Sequence, residues 1–481
     1  MKKPNIILFF SDQQRFDTLG CNGQPLEVTP RLDRMAREGV NFTMAYTPQP
    51  VCGPARAMLQ SGLYPTQIGC FRNGKALPRD CNTLARRLKA AGYRVAYVGK
   101  WHLASERTLG QDKGREFSCE TEPVPLERRG GYDEFWVAAD VLEFTSHGYG
   151  GHLFDRDNSR RAFTGYRADC VTDHALEYLD TRSKDDEAPF FLFLSLVEPH
   201  HQNDRNAFEG PEGSRERYAA FVPPPDLPSG EGDWETQMPD YLGCCNALDR
   251  NLGRVLDRLK EKGIYDDTLV IYTTDHGCHF KTKQKEAIRP GFDDYKRNCH
   301  ENTIHIPMVI RGPGFAAGAE ERRLVSLLDI PKTIIAAAGG DTGGMHGDSL
   351  LNLPPIITDE AQQPAPSPVI ASVSAKQPRW KQEVYIQISE SFVGRAIRTD
   401  RYTYCVYAPD KDPVRDSASD TYRDRYLFDN LNDPSQAANL IDDPAYAAVK
   451  DDLRACLIAC AQKAAEPPIT LIAGCMTNCR G

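Results

Sequence analysis

Four short runs of apolar and β-branched residues recur through the first two-thirds of the chain, and they constrain its fold more than any other feature. They are NIILFF (5–10), RVAYVG (94–99), FFLFLSLV (190–197) and TLVIYTT (268–274). Each run is nearly continuous, which is typical of strands buried on both faces of a parallel sheet. Amphipathic segments that end at glycine, over 81–92 and 242–263, lie between these runs. The pattern predicts an α/β fold with helices on both faces of the sheet.

A change of composition at TDEAQQPAPSPV (358–369) predicts a connection between two units, because proline and small polar residues dominate it. Beyond it, RAIRTDRYTYCVYA (395–408) is typical of paired strands and is followed by a helical tail. We therefore predict a larger α/β domain over residues 1–365 and a smaller α+β subdomain over residues 366–481. A chain of 481 residues is long enough for two hydrophobic cores.

The bulk composition argues against two classes of partner. No apolar run approaches the roughly 18–20 residues of a membrane span. A net charge of −9 and a pI near 5.7 argue against nucleic-acid binding, which needs a basic surface. The opening MKKPNIILFF has five consecutive apolar residues and no small-residue cleavage site, so we interpret it as the first strand and expect a cytoplasmic protein.

The fifteen cysteines are scattered, without the dense spacing of a secreted disulfide scaffold, which agrees with a reducing compartment. Near the C-terminus, the Cys-x₃-Cys pairs Cys456/Cys460 and Cys475/Cys479 have a spacing that suits one helix face and could ligate a metal. Structural zinc sites more often have two residues between their cysteines. A cysteine-rich tail could also pack at a symmetric interface of a homo-oligomer.

Polar residues with catalytic or metal-binding chemistry follow each of the four predicted strands. They are Asp12 and Gln13, Lys100 and His102, Glu198 and His200, and Asp275 and His276. Ligands of open α/β sheets bind beyond the carboxyl ends of the strands, so these side chains are expected to meet at one edge. Any one of them has an ordinary explanation, such as an aspartate that caps the next helix. Their recurrence at four strand ends favours a single site.

The predicted site divides into two chemical groups. The group that suits a divalent cation comprises Asp12, Gln13, Asp275 and His276. The group that can bind or protonate an anion comprises Arg56, Lys100, His102 and His200. Cys52, at the start of a predicted helix and four positions before Arg56, is either an activated nucleophile or a small buried core residue. A metal, a nucleophile and cationic clamps together indicate transfer of a sulfuryl or phosphoryl group.

CGPAR (52–56) fits the Cys-x-Pro-x-Arg signature of the type I sulfatases, and the chain resembles that family, in the alkaline phosphatase superfamily, along nearly its whole length. The other shared blocks are PNIILFFSDQQ (4–14), GKWHL (99–103), TDHG (274–277), HIPMVIRGPG (305–314), LLDIPKTIIAAAG (327–339) and YLFDNLNDPSQAANL (426–440). The resemblance implies a large mixed, mostly parallel sheet flanked by helices, as in alkaline phosphatase, with a smaller C-terminal α+β subdomain. It also implies that residues 1–365 hydrolyse the sulfate monoester of a small molecule or an oligosaccharide.

The resemblance assigns roles to individual residues. Cys52 is converted to formylglycine by a formylglycine-generating enzyme. Arg56 and the metal hold the hydrated aldehyde, which attacks sulfur. Position 52 is thus also a metal ligand. His200 protonates the leaving alcohol, and Lys100 and a second lysine hold the sulfate oxygens. His102 then removes the proton that lets the aldehyde re-form.

The second lysine and one substrate contact are also carried over from the resemblance. Similar sulfatases have that lysine five residues before a glutamate, a spacing that Lys296 and Glu301 fit. Nearby alternatives are Lys281, Lys283 and Lys285. Asn73 matches a position that often contacts the transferred group, and its alternative is a turn residue before Gly74.

Three positions depart from the family pattern. Ala55 stands where serine is usual, which puts the maturation route in question. Gln13 stands where many relatives have a second aspartate, and His276 stands where many have asparagine. Fewer carboxylates and an imidazole favour softer cations, so Mn²⁺ and Mg²⁺ are alternatives to Ca²⁺, the family default.

Two other functions stay open. Gln13 and His276 also resemble the phosphonate monoester hydrolases, relatives that cleave phosphonate and phosphodiester bonds, whereas Lys100 and His102 of GKWHL favour the sulfatase. A non-catalytic binding protein would follow if Cys52 were never converted.

The loops over 104–170 and 202–240 are expected to set specificity together with the C-terminal subdomain. Residues there that either line a carbohydrate subsite or serve as packing and surface are Trp101, Arg128, Arg129, Trp136, His147 and His152.

Overall fold

The structure, a computed structural model, describes residues 3–106, 118–286, 295–353, 380–472 and 474. Its strands are β1 (Asn5–Asp12), β2 (Val40–Phe42), β3 (Ala45–Tyr46), β4 (Arg94–Lys100), β5 (Phe135–Ala139), β6 (Tyr149–Asp155), β7 (Arg160–Tyr166), β8 (Phe190–Pro199), β9 (Thr268–Thr274), β10 (Met308–Arg311), β11 (Ala319–Glu321), β12 (Val325–Ser326), β13 (Glu383–Ile388), β14 (Gly394–Thr399), β15 (Tyr402–Tyr407), β16 (Thr421–Asp429) and β17 (Thr470–Ile472). Its α-helices are α1 (Pro30–Arg37), α2 (Cys52–Ser61), α3 (Pro65–Ile68), α4 (Leu84–Ala90), α5 (Leu142–Thr145), α6 (Arg167–Asp180), α7 (Ser214–Arg217), α8 (Trp234–Glu261), α9 (Glu301–Ile304), α10 (Asp329–Ala337) and α11 (Ala447–Lys463).

Ten strands form one large sheet in the order β11-β2-β10-β9-β1-β8-β4-β5-β6-β7. The central strands β9, β1, β8, β4 and β5 are all parallel to one another, and antiparallel strands extend the sheet on both sides. The four strands predicted from the apolar runs are β1, β4, β8 and β9, which lie side by side. Their carboxyl ends therefore share one edge, and the predicted mixed α/β fold is confirmed.

Both faces of the central strands are covered, which explains why their sequences do not alternate in polarity. Ile6, Leu8 and Phe10 of β1 belong to one core, together with residues of α2, α4 and α10. Ile7 and Phe9 belong to the opposite core, with residues of α1, α6 and α8. Full burial of each such side chain contributes about 1.5–3 kcal/mol.

Gly99 is required where β4 approaches β8. Its φ is +108°, and a Cβ atom at this position would lie 1.8 Å from the carbonyl oxygen of Ser195. Only glycine avoids this clash and adopts this conformation without strain. The close approach brings Lys100, the last residue of β4, to the shared edge of the sheet.

The smaller sheet has the order β13-β14-β15-β16-β17. Its first four strands are antiparallel neighbours, and β17 runs parallel to β16. Helix α11 packs against β13 and β14. The predicted C-terminal α+β subdomain is thus confirmed, while its predicted boundary at 365/366 lies outside the described residues.

The predicted helices differ from the observed ones mainly at their N-termini. Helix α8 begins at Trp234, eight residues before the predicted start at 242. Pro239 lies inside the helix, and Trp234 and Met238 bury their side chains in a separate aromatic cluster. Within the described ranges, no helix is long and apolar enough to cross a membrane.

Candidate active site

The predicted site residues meet at the edge where the central parallel strands end. Asp12 ends β1, Lys100 ends β4, Asp275 follows β9, and His200 follows β8, while Cys52 is the first residue of α2. The exposed fraction of each of these side chains is 5% or less. Topology alone therefore brings together residues that are up to 263 positions apart in the sequence.

One part of the site has the donor set of a metal centre. The ligand atoms that all lie within 4.8 Å of one another belong to Asp12, Cys52, Asp275 and His276. The backbone N–H groups of Gln13 and His276 donate hydrogen bonds to Asp275 Oδ1, over 3.0 and 2.9 Å. His276 Nδ1 lies 3.0 Å from the carbonyl oxygen of Gly277, so Nδ1 carries the proton and Nε2 is left to face the cluster.

Two features of this cluster fit a divalent cation. Burial and the neighbouring Asp12 raise the pKa of Asp275 to about 7, because two carboxylates in a dry site repel each other. Gln13 Oε1 and Asp275 Oδ2 are buried and have no hydrogen-bond partner among the residues that the structure describes. Each such oxygen costs about 1–3 kcal/mol, and a cation bound by them would remove that cost.

The Cys52 thiol is not activated in its unmodified form. Burial and Asp12 raise its pKa to about 12, against the opposing effect of Lys296 and Lys100. Its Sγ donates to Asp12 Oδ1 over 3.4 Å. A protonated thiol is a poor nucleophile, and the surroundings of the unmodified Cys52 side chain do not favour a thiolate.

Two cations are fixed beside Cys52 by a shared carboxylate. Arg56 Nη2 and Lys100 Nζ donate to Asp12 Oδ2 over 3.0 and 2.9 Å. Although burial alone would raise the pKa of Asp12, Lys100 and the other surrounding cations hold it well below its usual range. Arg56 Nη1 also donates to Ser195 Oγ over 2.6 Å, and Glu143 Oε1 accepts from Lys100 over 2.7 Å. These contacts hold the guanidinium and the ammonium in place without a ligand.

Lys296 joins Cys52 to His200. Its Nζ lies 3.2 Å from Cys52 Sγ and 2.9 Å from His200 Nε2. His200 Nδ1 lies 2.7 Å from the carbonyl oxygen of His201, so Nδ1 donates there and Nε2 accepts from the lysine. Burial and Lys296 lower the pKa of His200 well below its usual value, which makes the imidazole neutral near pH 7.

The alternative lysines lie farther out. Lys281 pairs with Asp233 over 2.9 Å at the rim of the site. Lys283 lines a separate cavity, and the side chain of Lys285 is exposed. Among the described contacts of these four lysines, it is Lys296 that contacts the Cys52 thiol.

The site opens into a cavity of about 460 Å³. His102 lines it, and burial together with Lys100 and Arg56 lowers the pKa of this histidine well below its usual value. Both loops expected to set specificity contribute to the wall, through Glu143 and Phe144 and through Asn203. The wall of the cavity therefore includes a neutral imidazole as well as Cys52.

The C-terminal subdomain reaches this cavity through Glu390. Its carboxylate accepts from the backbone N–H of Asn73 over 2.6 Å and from Arg297 Nε over 2.7 Å. Asn73 Oδ1 in turn accepts from the Gly53 N–H over 2.9 Å. Asn73 lines the cavity as predicted for a substrate contact. Its side-chain amide oxygen also accepts the hydrogen bond from Gly53 at the start of α2.

None of the six residues considered for a carbohydrate subsite lines the described wall of the cavity. Trp101 and Trp136 are buried in an aromatic cluster with Tyr97, and Arg129 stacks over Trp136. For Trp101, Arg129 and Trp136, these contacts agree with the alternative of packing.

Sequence reasoning also missed several contacts of the site. Glu143, Arg297 and Glu390 were not predicted, since they lie on α5 and on loops without a recognisable pattern. Ser195, a polar residue inside an apolar strand, was a signal that could have been followed.

Comparisons with known proteins show which proteins this chain is similar to. A family model described as Sulfatase matches residues 4–340. An ulvan-active sulfatase of Formosa agariphila is 29% identical over 461 residues, which cover 94% of this chain and 80% of that protein.

Two solved structures share the fold. One, in complex with its substrate D-glucosamine-2-N,6-O-disulfate, has a TM-score of 0.70 at 22% identity and covers 96% of this chain and 98% of its own. The phosphonate monoester hydrolase of Agrobacterium radiobacter has a TM-score of 0.67 at 20% identity and covers 96% of both chains. At these sequence identities, the similarity to the two structures shows a shared fold only.

Proposed function

We propose a chemistry and a substrate class from the premise that this chain belongs to the sulfatase family, which the match over residues 4–340 shows. The enzyme hydrolyses the sulfate monoester of a carbohydrate at the edge of the large sheet, with position 52 as the nucleophile. The observation that carries this proposal is the position of Cys52, in contact with Asp12, His276 and Lys296 over 3.2–3.4 Å.

Formylglycine derived from Cys52 would supply an oxygen nucleophile, and a divalent cation held by Asp12, Gln13, Asp275 and His276 would supply Lewis-acid polarisation. Both are supported by features of the site. The raised pKa of Cys52 argues against a thiolate nucleophile. Gln13 Oε1 and Asp275 Oδ2, which accept no hydrogen bond from the residues that the structure describes, argue for a cation.

The maturation of Cys52 must precede folding. Every residue of α2, from Cys52 to Ser61, is buried. A modifying enzyme needs access to the CGPAR segment, and the folded chain does not provide it. The partner implied is a formylglycine-generating enzyme that acts on the unfolded or nascent chain.

The cations of the site bind the sulfate group. Arg56, Lys100 and Lys296 converge on Cys52 from three elements, and pre-positioned donors stabilise charge that develops on the sulfate oxygens in the transition state. Because Asp12 fixes two of these donors before substrate arrives, little reorganisation is needed on binding.

The two imidazoles divide the proton transfers. His102 is neutral because its pKa is lowered, and a neutral imidazole can remove a proton beside the nucleophile. His200 accepts from Lys296 in the free enzyme. A bound anionic ester raises the pKa of His200 by favouring its charged form, so this residue can then protonate the leaving alcohol.

The cavity supports a carbohydrate as the alcohol part of the ester. Its volume of about 460 Å³ suits an organic ligand of moderate size. Asn73, Asn203 and Asn206 offer amide groups to hydroxyls, and Phe144, which is 47% exposed, offers an apolar ring at the wall. The glucosamine disulfate bound by a structural relative belongs to the same class.

The test is a matched pair of substrates, one aryl sulfate monoester and one aryl phosphonate monoester with the same leaving group. We expect a higher kcat/KM for the sulfate, because Lys100 and His102 match the sulfatases. A higher kcat/KM for the phosphonate would overturn the proposal and assign the enzyme to the activity that Gln13 and His276 resemble. A panel of sulfated monosaccharides then identifies the position cleaved.

A further inference from the structure

A second group of metal-binding side chains lies in the C-terminal subdomain. Cys456 and Cys460 lie one turn apart on α11, and Glu383 is the first residue of β13. Their ligand atoms all lie within 4.8 Å of one another. The described wall of the active-site cavity includes none of the three, so the group is separate from the catalytic chemistry.

The spacing of these atoms matches that of ligands around a single ion. In a tetrahedral zinc site, bonds of about 2.3 Å to sulfur and about 2.0 Å to oxygen place the two ligand atoms about 3.5 Å apart. Cys460 Sγ lies 3.6 Å from Glu383 Oε1. Residues four apart share one face of a helix, so Cys456 projects toward the same position. An ion could be bound with little movement of these side chains.

The surroundings suit a cation that enters from solvent. Cys460 is 5% exposed and packs in the core of the subdomain, whereas Cys456 and Glu383 are partly exposed. Lys463 Nζ lies 3.5 Å from Glu383 Oε1 and balances part of the negative charge that two thiolates and a carboxylate would bring. The Lys463 side chain is 73% exposed and can withdraw when an ion binds.

We propose that Glu383, Cys456 and Cys460 bind one Zn²⁺ ion, with water as the fourth ligand. Binding replaces the two thiol protons, which pass to solvent. Thiolates select zinc, whereas the active-site group offers carboxylate oxygens and an imidazole, so the ligand sets of the two sites differ. The ion would tie α11 to the edge strand β13 and so stabilise the subdomain.

The experiment uses the full chain, stripped of metal with a chelator and then titrated with Co²⁺ or Zn²⁺. The wild type is expected to develop thiolate-to-cobalt charge-transfer absorption and to retain one more Zn²⁺ per chain than Cys456→Ser/Cys460→Ser. Cys170→Ser, which removes a partly buried thiol elsewhere, is the matched control and should behave like the wild type. Sulfatase activity should be unchanged in both variants.

A second variant keeps the test independent of any folding defect. Glu383→Gln preserves shape and is expected to weaken Zn²⁺ binding roughly tenfold or more while leaving circular dichroism unchanged. Equal zinc content in the wild type and the double variant would overturn the proposal. So would loss of the cobalt absorption in Cys475→Ser/Cys479→Ser alone, because it would assign the ligands to the tail, outside the described residues.

Discussion

At the scale of single residues, Lys100 is held in the site by two carboxylates that share its ammonium group. Asp12 Oδ2 and Glu143 Oε1 accept from its Nζ over 2.9 and 2.7 Å. Burial lowers the pKa of Lys100, but Asp12 and Glu143 outweigh this effect and raise it above its usual value. The ammonium is therefore always charged, while Glu143 also repels an approaching sulfate.

Two substitutions of Glu143 separate these effects. Glu143→Gln keeps a hydrogen-bond acceptor for Lys100 and removes the negative charge that repels the sulfate. KM for a sulfate ester should therefore fall about threefold to tenfold with little change in kcat. Glu143→Ala removes the acceptor, so kcat should fall about tenfold or more because Lys100 is no longer held in place. Steady-state kinetics of both variants checks this prediction. If Glu143→Gln and Glu143→Ala changed KM and kcat in the same way, the prediction would be contradicted.

The role of His200 is tested by its dependence on the leaving group. His200→Ala should lower kcat/KM about 10²–10⁴-fold for esters of poor leaving groups and only slightly for good ones, since only the former need protonation. The measurement is a series of aryl sulfates that differ in leaving-group pKa. Equal losses across the series would remove His200 as the general acid.

The residues that could be found from sequence are those at the ends of apolar strands. Asp12, Lys100, His200 and Asp275 lie within three residues after the ends of such runs, and strand topology then brings them together. Glu143 could not be found in this way, because the short helix α5 that carries it has no periodicity of its own.

Among the structural elements, the loop after β13 links the smaller sheet to the active site. Glu390 in this loop holds both the backbone of Asn73 and the side chain of Arg297. The ion pair with Arg297 is buried, with side-chain exposures of 9% and 7%. Removing one partner of a buried ion pair leaves the charge of the other partner buried and uncompensated.

We expect Glu390→Ala to lower the free energy of unfolding by about 3 kcal/mol and to raise KM, because Asn73 and Arg297 both line the cavity. Urea unfolding and steady-state kinetics measure the two effects. Asp133→Ala is the control, since it breaks an exposed pair with Lys89 and should cost less than about 1 kcal/mol. Equal costs for the two variants would contradict the account.

The helices and strands of the large domain were predictable where periodicity was strong, and β1, β4, β8 and β9 were identified within two residues at each end. The early start of α8 was not predictable, because Pro239 lies in its first turns and proline usually marks a helix boundary. The contribution of Glu390 was not predictable either, since it depends on how the two sheets pack.

Over the whole molecule, cation binding and pH are linked through Asp275. Its pKa of about 7 lies above the ordinary 3.8, so between these values the cation-free folded protein holds a proton that the unfolded chain has lost. This group's contribution to stability therefore falls as pH rises toward 7. A cation must displace the same proton, so its apparent affinity weakens by up to about tenfold per pH unit below pH 7.

We expect added Ca²⁺ or Mn²⁺ to raise the Tm of chelator-treated enzyme more at about pH 7.5 than at about pH 5.5. Thermal unfolding with and without cation at both pH values measures this. Asp275→Asn, which has no proton to lose, should give a smaller and pH-independent shift. A shift that is the same at both pH values in the wild type would contradict the assignment.

The central claim is that activity resides in a modified Cys52, and the most direct measurement combines peptide mass spectrometry with kinetics. Preparations made with and without a formylglycine-generating enzyme are compared for the fraction of position 52 in the aldehyde form and for kcat per chain. We predict that kcat rises in proportion to that fraction and that Cys52→Ala is folded but inactive. Full activity in a preparation whose Cys52 is entirely unmodified would contradict the account.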